Sequence, residues 1–149
     1  MITASIFTEE AGEKLDGIPL TAVTRRNDRA KYVSFIYGDC IPVADTGCAP
    51  PAEIQVWPAC VRNLSLYARY RNAPVPDPVT IRGTTAAYFE DGRRLEVQTR
   101  DSTVVIFGAS HEVVSAAAST LRGVNVADPA TGALAPPVPG AVDGRIACS

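Results

Sequence analysis

Four cysteines are the residues of this sequence with the best-defined chemistry: Cys40, Cys48, Cys60 and Cys148. An even number of cysteines in a small chain is typical of disulfide pairing in an oxidising compartment. Each one lies among loop residues rather than in an apolar stripe, which favours disulfides over buried thiols. Their spacing also lacks the close ligand pair that structural zinc sites use. We therefore predict two disulfides and no metal site.

The predicted strands favour one of the three pairings that four cysteines allow. Cys40 and Cys48 both lie in the loop between two strands that we expect to form a hairpin. Cys60 lies beyond the far end of the returning strand. A bridge from Cys60 to Cys40 would cross most of the hairpin, whereas bridged Cα atoms are at most about 6.8 Å apart. We predict Cys40–Cys48 and Cys60–Cys148.

A segment that starts at the only tryptophan combines aromatic side chains with arginines. Its candidate binding residues are Trp57, Arg62, Tyr67, Arg69 and Tyr70. Aromatic residues beside arginine are typical of binding hot spots. The alternative, which we prefer, is that Trp57 and Tyr67 fill the core near a disulfide while the arginines are solvated, because aromatic residues supply much of a small core.

No catalytic motif accompanies these residues. The sequence contains no G-x-S-x-G, H-E-x-x-H, P-loop, G-x-G-x-x-G or C-x-x-C pattern. The only histidine, His111, lies in the first turn of a predicted helix, where a surface position is commoner than a general base. A Cys–His nucleophile pair would need an unpaired cysteine, against the even count. We predict no catalytic residue and no cofactor.

Length and composition describe an ordinary small domain. The chain has 149 residues, 46% of them hydrophobic and 20% charged, which is sufficient for one folded core. A formal net charge of −2 gives no reason to expect nucleic acid as a partner. Residues 1–15 contain no apolar leader segment, and no apolar run is long enough to span a bilayer. We expect a leader, lipid anchor or membrane helix to lie outside this chain.

Alternating apolar residues predict most of the strands. We expect strands over 18–25, 31–38, 52–57, 79–82, 85–90, 93–100 and 103–107. In the third of these, Ile54 and Val56 should point inward, and Glu53 and Gln55 outward. The Asp-Gly pair at 91–92 suits a type I′ hairpin turn, because both of its central residues need a positive φ.

A helix is predicted after Ser110, whose hydroxyl suits the N-cap position. Its apolar stripe is Val113, Val114, Ala117 and Leu121. The predicted fold class is therefore α+β: an antiparallel meander with a C-terminal helix packed on one face. Residues 1–123 would form a single disulfide-linked domain. Residues 124–149 would form a tail rich in proline, glycine and alanine, pinned back by Cys148.

Several stretches carry a resemblance to a known group of proteins. They are Gly-Ile-Pro-Leu-Thr-Ala-Val at 17–23, Tyr-Val-Ser-Phe-Ile-Tyr-Gly-Asp-Cys at 32–40, Gly-Cys-Ala-Pro-Pro at 47–51 and Gln-Val-Trp-Pro-Ala-Cys at 55–60. With them, most of the chain resembles uncharacterised exported or membrane-tethered proteins of high-GC Gram-positive bacteria. The meander and helix are loosely similar to extracytoplasmic sheet-plus-helix domains of lipoproteins and anti-sigma-factor-like receptors. The resemblance implies placement outside the cytoplasm and no particular activity.

Three functions are compatible with these observations. The first is a non-catalytic extracytoplasmic module that binds or senses a protein or a small ligand, and it fits the disulfides and the missing motifs best. The second is a structural subunit of a surface assembly or filament, for which a homo-oligomer is expected. The third is a hydrolytic enzyme without a recognisable motif, which paired carboxylates in a deep pocket would favour.

Overall fold

One antiparallel sheet contains most of the strands in the computed structural model. The structure describes residues 4–5, 14–15, 17–28, 31–40, 47–66, 76–123 and 133–148. Within these ranges the sheet strands are β2 (Lys14–Leu15), β3 (Ile18–Arg25), β4 (Val33–Tyr37), β5 (Ala52–Pro58), β6 (Val79–Ile81), β7 (Thr84–Phe89), β8 (Arg94–Thr99) and β9 (Ser102–Gly108). A short separate pair is made by β1 (Ala4–Ser5) and β10 (Arg122–Gly123).

Two meanders meet at the middle of this sheet. The spatial order is β2-β3-β4-β5-β9-β8-β7-β6, so each half follows the chain and β5 pairs with β9. That central pairing runs from Ala52 opposite Gly108 to Pro58 opposite Ser102. The predicted hairpin of β4 and β5 is present, with Tyr37 opposite Ala52. The antiparallel sheet expected from the alternating residues is thus confirmed.

Two turns show why the second meander folds tightly. Asp91 and Gly92 have φ values of 56° and 83°, as the predicted Asp-Gly turn requires. Between β6 and β7, Arg82 and Gly83 have φ values of 49° and 87°. The strand predicted over 79–82 therefore ends at Ile81, because Arg82 belongs to a two-residue turn.

The helix α1 (His111–Ser119) begins as its sequence predicts. The Ser110 hydroxyl accepts a hydrogen bond from the backbone N–H of Val113 at 3.3 Å, which satisfies a donor that has no partner within the helix. Val114, Ala117 and Ala118 of the helix are buried. They belong to the same core cluster as apolar side chains of β5, β8 and β9.

The apolar face of the sheet forms the main core. The register places on this one face a continuous set of buried side chains: Ile54, Val56, Leu95, Val97, Val104 and Ile106. The second face, which we call the polar face, alternates with them and carries Gln55, Glu96 and Gln98. Glu96 and Gln98 are fully buried and Gln55 is 9% exposed. The expectation that Gln55 points outward to solvent is therefore wrong, because side chains from other segments cover this face.

Residues 133–148 run back across the body of the protein. The backbone N–H of Leu134 donates to the carbonyl of Arg82 at 2.8 Å, and that of Val138 donates to the carbonyl of Arg100 at 3.0 Å. Leu134 joins the main core cluster, whereas Val142 packs against a smaller cluster that contains Leu64. The segment thus connects two separate hydrophobic clusters before it reaches Cys148.

Tyr37 is a buried residue whose hydroxyl group we expect to be dispensable. It is fully buried, and its hydroxyl has no hydrogen-bond partner among the described residues. Burial raises the pKa of Tyr37 to about 12, so the unfolded chain loses this proton first and stability falls as pH rises from about 10. We expect Tyr37→Phe to be neutral or up to about 1 kcal/mol more stable at pH 7, and to lose less stability than the wild type at pH 11.

Denaturant unfolding at pH 7 and pH 11 checks this expectation. Tyr88→Phe is the matched control, because the Tyr88 hydroxyl lies 3.3 Å from the Ser115 hydroxyl and its loss should give no gain. A Tyr37→Phe protein that is clearly destabilised at pH 7 would mean that the hydroxyl has a partner.

Candidate functional site

A stack of four side chains crosses one side of the molecule. The rings of Tyr32 and Trp57 are stacked with their centroids 4.2 Å apart. The guanidinium of Arg26 lies 5.7 Å from the Tyr32 ring, and that of Arg62 lies 5.0 Å from the Trp57 ring. We call these four residues the aromatic stack. Each ring therefore contacts the other ring and one guanidinium. This arrangement allows both aromatic stacking and cation–π attraction.

Strand register brings the stack together. Val33 is opposite Val56, so Tyr32, which directly precedes β4, lies next to Trp57 of β5. Arg62 follows in a turn in which its backbone N–H donates to the carbonyl of Pro58 at 3.1 Å. At the other end, the backbone N–H of Arg26 donates to the carbonyl of Tyr32 at 2.9 Å.

A buried carboxylate holds Arg62 in place. Arg62 donates from Nε to Oε1 of Glu96 at 3.0 Å and from Nη2 to Oε2 at 2.9 Å, which is a bidentate pair. Arg94 forms a second ion pair with Glu96, with its Nε 3.3 Å from Oε2. The side chain of Glu96 is fully buried, and that of Arg62 is 25% exposed. Glu96 thus fixes the Arg62 side chain on its buried side, and the rest of that side chain is partly exposed to solvent.

Further hydrogen bonds on the polar face fix the tryptophan. The indole N–H of Trp57 donates to Oε1 of Gln55 at 2.9 Å. The side-chain amide of Gln55 in turn donates to Oε2 of Glu53 at 2.6 Å, and the Ser34 hydroxyl donates to the same oxygen at 2.6 Å. Such connected polar groups restrict each other's rotamers. Trp57 is therefore held by a hydrogen-bond chain as well as by stacking.

Two open depressions lie close to these residues. One, which we call the basic cavity, has a volume of about 180 Å³ and is lined by Arg25, Arg26, Asn27, Lys31, Tyr32 and Val33. The other, the larger cleft, has a volume of about 700 Å³. Its lining includes the carboxylates of Glu53 and Glu90 and the side chain of Phe107. Glu90 is engaged, since its Oε1 lies 3.1 Å from Nη1 of Arg94.

The structure brings together only part of the predicted binding segment. Trp57 and Arg62 are in contact, and both are half-buried. Tyr67, Arg69 and Tyr70 lie outside the described residues. Sequence reasoning missed Tyr32 and Arg26 as site residues. Tyr32, an aromatic residue in the strand predicted over 31–38, was a visible signal. It also left Glu96 as one polar residue in an alternating strand, with no sign of its burial.

The cysteines pair as the sequence predicts. Cys40 and Cys48 form one disulfide with Cα atoms 6.0 Å apart. Cys60 and Cys148 form the other with Cα atoms 5.2 Å apart. The second bond attaches residues 133–148 beside the turn that carries Arg62. Two disulfides are compatible with an extracellular location.

Ser110 and His111 have structural contacts. The Ser110 hydroxyl caps α1, and the His111 ring lies 4.9 Å from the Tyr88 ring in a tilted contact. Among the residues that the structure describes, no three His, Cys, Asp or Glu side chains are grouped to hold a metal ion. In the same residues, none of the helices has the length and apolar character needed to cross a membrane.

The fold and this face define a disulfide-linked antiparallel sheet domain that presents prearranged aromatic and arginine side chains. Comparison with models of known protein families, with curated proteins and with solved structures finds no match to this chain.

Proposed function

We propose that this protein is a non-catalytic binding or sensing module that works outside the cytoplasm, with the aromatic stack as the centre of its binding surface. Two disulfides support the compartment, because such bonds persist where thiols are not kept reduced. The exported or membrane-tethered proteins of high-GC Gram-positive bacteria that the sequence resembles support it as well.

The main support for this proposal is that the aromatic stack is held in place by contacts within the protein itself. Tyr32 and Trp57 hold each other at 4.2 Å, and Arg62 is clamped by a bidentate pair to a buried carboxylate. Binding through side chains that are already ordered avoids about 0.5–1.5 kcal/mol of entropy loss for each one. Tryptophan, tyrosine and arginine are also the residues most enriched at binding hot spots. A prearranged surface of these three types is what a recognition module needs.

Trp57 provides the readout for a direct test. It is the only tryptophan of the chain, so intrinsic tryptophan fluorescence reports on the stack alone. We expect at least one member of a panel of peptides, glycans and lipid headgroups from the cell envelope to change this fluorescence and to raise the thermal midpoint through ligand-linked stabilisation. We expect Tyr32→Ala to weaken that ligand about tenfold or more, since a hot-spot aromatic contributes 2 kcal/mol or more.

Tyr88→Ala is the matched control, because Tyr88 is paired with Leu95 on the apolar face of the sheet. This change removes the same side chain at a distance from the stack and should leave affinity within about twofold. A panel without any binder, or equal weakening by both variants, would contradict a recognition role for the stack. Cleavage of the complete gene product by protease added to intact cells tests the compartment, and full protection would count against it.

An assembly subunit is the second candidate function. Val79 lies on β6, the outermost strand at one end of the sheet among the described residues, and is 37% exposed. Exposed strand edges can pair with a neighbouring chain. Size measurement across concentration separates the two functions, since a monomer at all concentrations contradicts assembly.

A further inference from the structure

The basic cavity carries an inference about the ligand, which rests on the proposed binding function. Its six lining residues include three cations, Arg25, Arg26 and Lys31, and no acidic side chain. The whole chain has a formal net charge of −2, so this grouping of positive charge is opposite to the average. The cavity also contains Tyr32 and is therefore continuous with the aromatic stack.

Two of these cations have no partner in the part of the chain that the structure describes. The third cation, Arg26, forms an ion pair with Asp28. Outside the cavity, Arg62 pairs with Glu96 and Arg145 with Asp143. The side chains of Arg25 and Lys31 form no ion pair or hydrogen bond with other described residues. Within the described residues, no carboxylate therefore neutralises these two charges, and an anionic group of a ligand could do so.

The hairpin of β3 and β4 builds the cavity. Arg25 is opposite Val33 in the last pair of the two strands, and the hydrogen bond from Arg26 to Tyr32 closes the turn at 2.9 Å. Lys31 has a φ of 49°, which is an unfavourable conformation for a residue with a side chain. Backbone strain of this kind concentrates at ligand sites. The strained position here belongs to one of the cations that line the cavity.

We propose that the basic cavity binds an oxyanion, a carboxylate or phosphate group of the ligand, through Arg25, Lys31 and the side-chain amide of Asn27. Arginine and lysine form their strongest hydrogen bonds with these groups. The volume of about 180 Å³ is far above the roughly 10–15 Å³ that one water molecule needs, so a carboxylate or phosphate group can enter. Because Tyr32 both lines the cavity and stacks on Trp57, the bound anion changes the environment of the tryptophan.

Titration of the intact protein with inorganic phosphate and with acetate tests this inference. Sodium chloride at equal ionic strength is the reference, since it reproduces general screening. We expect a saturable change in Trp57 fluorescence with phosphate or acetate and no saturation with chloride. The anion that saturates at the lower concentration identifies which of the two groups the ligand carries.

Paired charge removals give the matched comparison. Arg25→Ala with Lys31→Ala should weaken the saturating anion about tenfold or more, as two charge-assisted hydrogen bonds are lost. Lys14→Ala with Arg145→Ala removes the same net charge from exposed positions outside the cavity and should change affinity less than about twofold. Lys31→Gly should fold with an unchanged or higher thermal midpoint, because glycine accepts a positive φ, and should still bind the anion less tightly.

Three results would overturn the anion site: a response to neither probe beyond chloride, equal weakening in both double variants, or full affinity in Lys31→Gly. These results are distinct from failure of the proposed function. If both anions fail while a member of the envelope panel still changes Trp57 fluorescence in a Tyr32-dependent way, the binding module stands and the oxyanion inference falls.

Discussion

Replacing Cys60 and Cys148 together with serine is expected to lower the free energy of unfolding by about 4–5 kcal/mol. The two residues are 88 positions apart, and the entropy that a crosslink removes from the unfolded chain grows with the length of the closed loop. A typical domain has a free energy of unfolding of about 5–15 kcal/mol. A loss of this size is a large share of that total, so we expect the variant to unfold at a much lower temperature than the wild type. The measurement is urea unfolding of the oxidised wild type and the double variant.

The other disulfide provides the matched control. Cys40 and Cys48 are 8 positions apart, and replacing both with serine should cost about 2–3 kcal/mol by the same reasoning. We also expect the dependence on urea to steepen more in the Cys60/Cys148 variant, because its unfolded chain exposes more surface. Equal losses in the two double variants would mean that loop length does not set the contribution of these bonds.

Glu96→Gln is expected to cost about 3–5 kcal/mol, although it removes only a charge. The carboxylate is fully buried and balances Arg62 and Arg94. Arg94 is itself 5% exposed, so its guanidinium would lose this buried counter-charge and keep the ion pair with Glu90 at the rim. Breaking a buried ion pair on one side leaves an uncompensated charge away from water, which costs far more than the intact pair contributes.

Two further variants identify the cause of that loss. Glu112→Gln removes an exposed carboxylate from the first turn of α1 and should change stability by less than about 1 kcal/mol. Glu96→Met combined with Arg62→Met removes both members of the bidentate pair and should cost less than the sum of the two single changes. A stability of Glu96→Gln within about 0.5 kcal/mol of the wild type would show that the buried charges do not depend on each other.

Local signals in the sequence were sufficient to predict the individual turns, strands and the helix. The Asp-Gly pair at 91–92 and the Ser110 cap each depend on neighbouring residues, and each appears in the structure as predicted. In β5 the buried positions of Ile54 and Val56 were predicted, and the burial of Gln55 was not. The disulfide pairing followed because it depends on one hairpin. The joining of the two meanders through β5 and β9 was not predicted, because strand pairing between distant segments leaves no local pattern.

The candidate site was only partly accessible to sequence reasoning for a related reason. Alternation separates the two faces of a strand but does not tell whether the second face meets water. Glu96 is buried because Arg62, 34 positions earlier in the chain, lies over it. Tyr32 reaches Trp57 only through the register of β4 and β5. The composition of the segment after Trp57 left a binding role and a core role both open, with the core role preferred, and strand pairing decided that Trp57 contacts Tyr32.

The long disulfide has a consequence for the order of events as the chain is synthesised and oxidised. Cys60 follows Trp57 and precedes Arg62 by a few residues, whereas its partner Cys148 comes after all the strands of the second meander. The short bridge can oxidise as soon as the first hairpin emerges, but the bond beside the aromatic stack has to wait for β6 to β9. Covalent closure beside the aromatic stack is therefore a late step, and a chain interrupted in its second half would contain Trp57 and Arg62 without this bond.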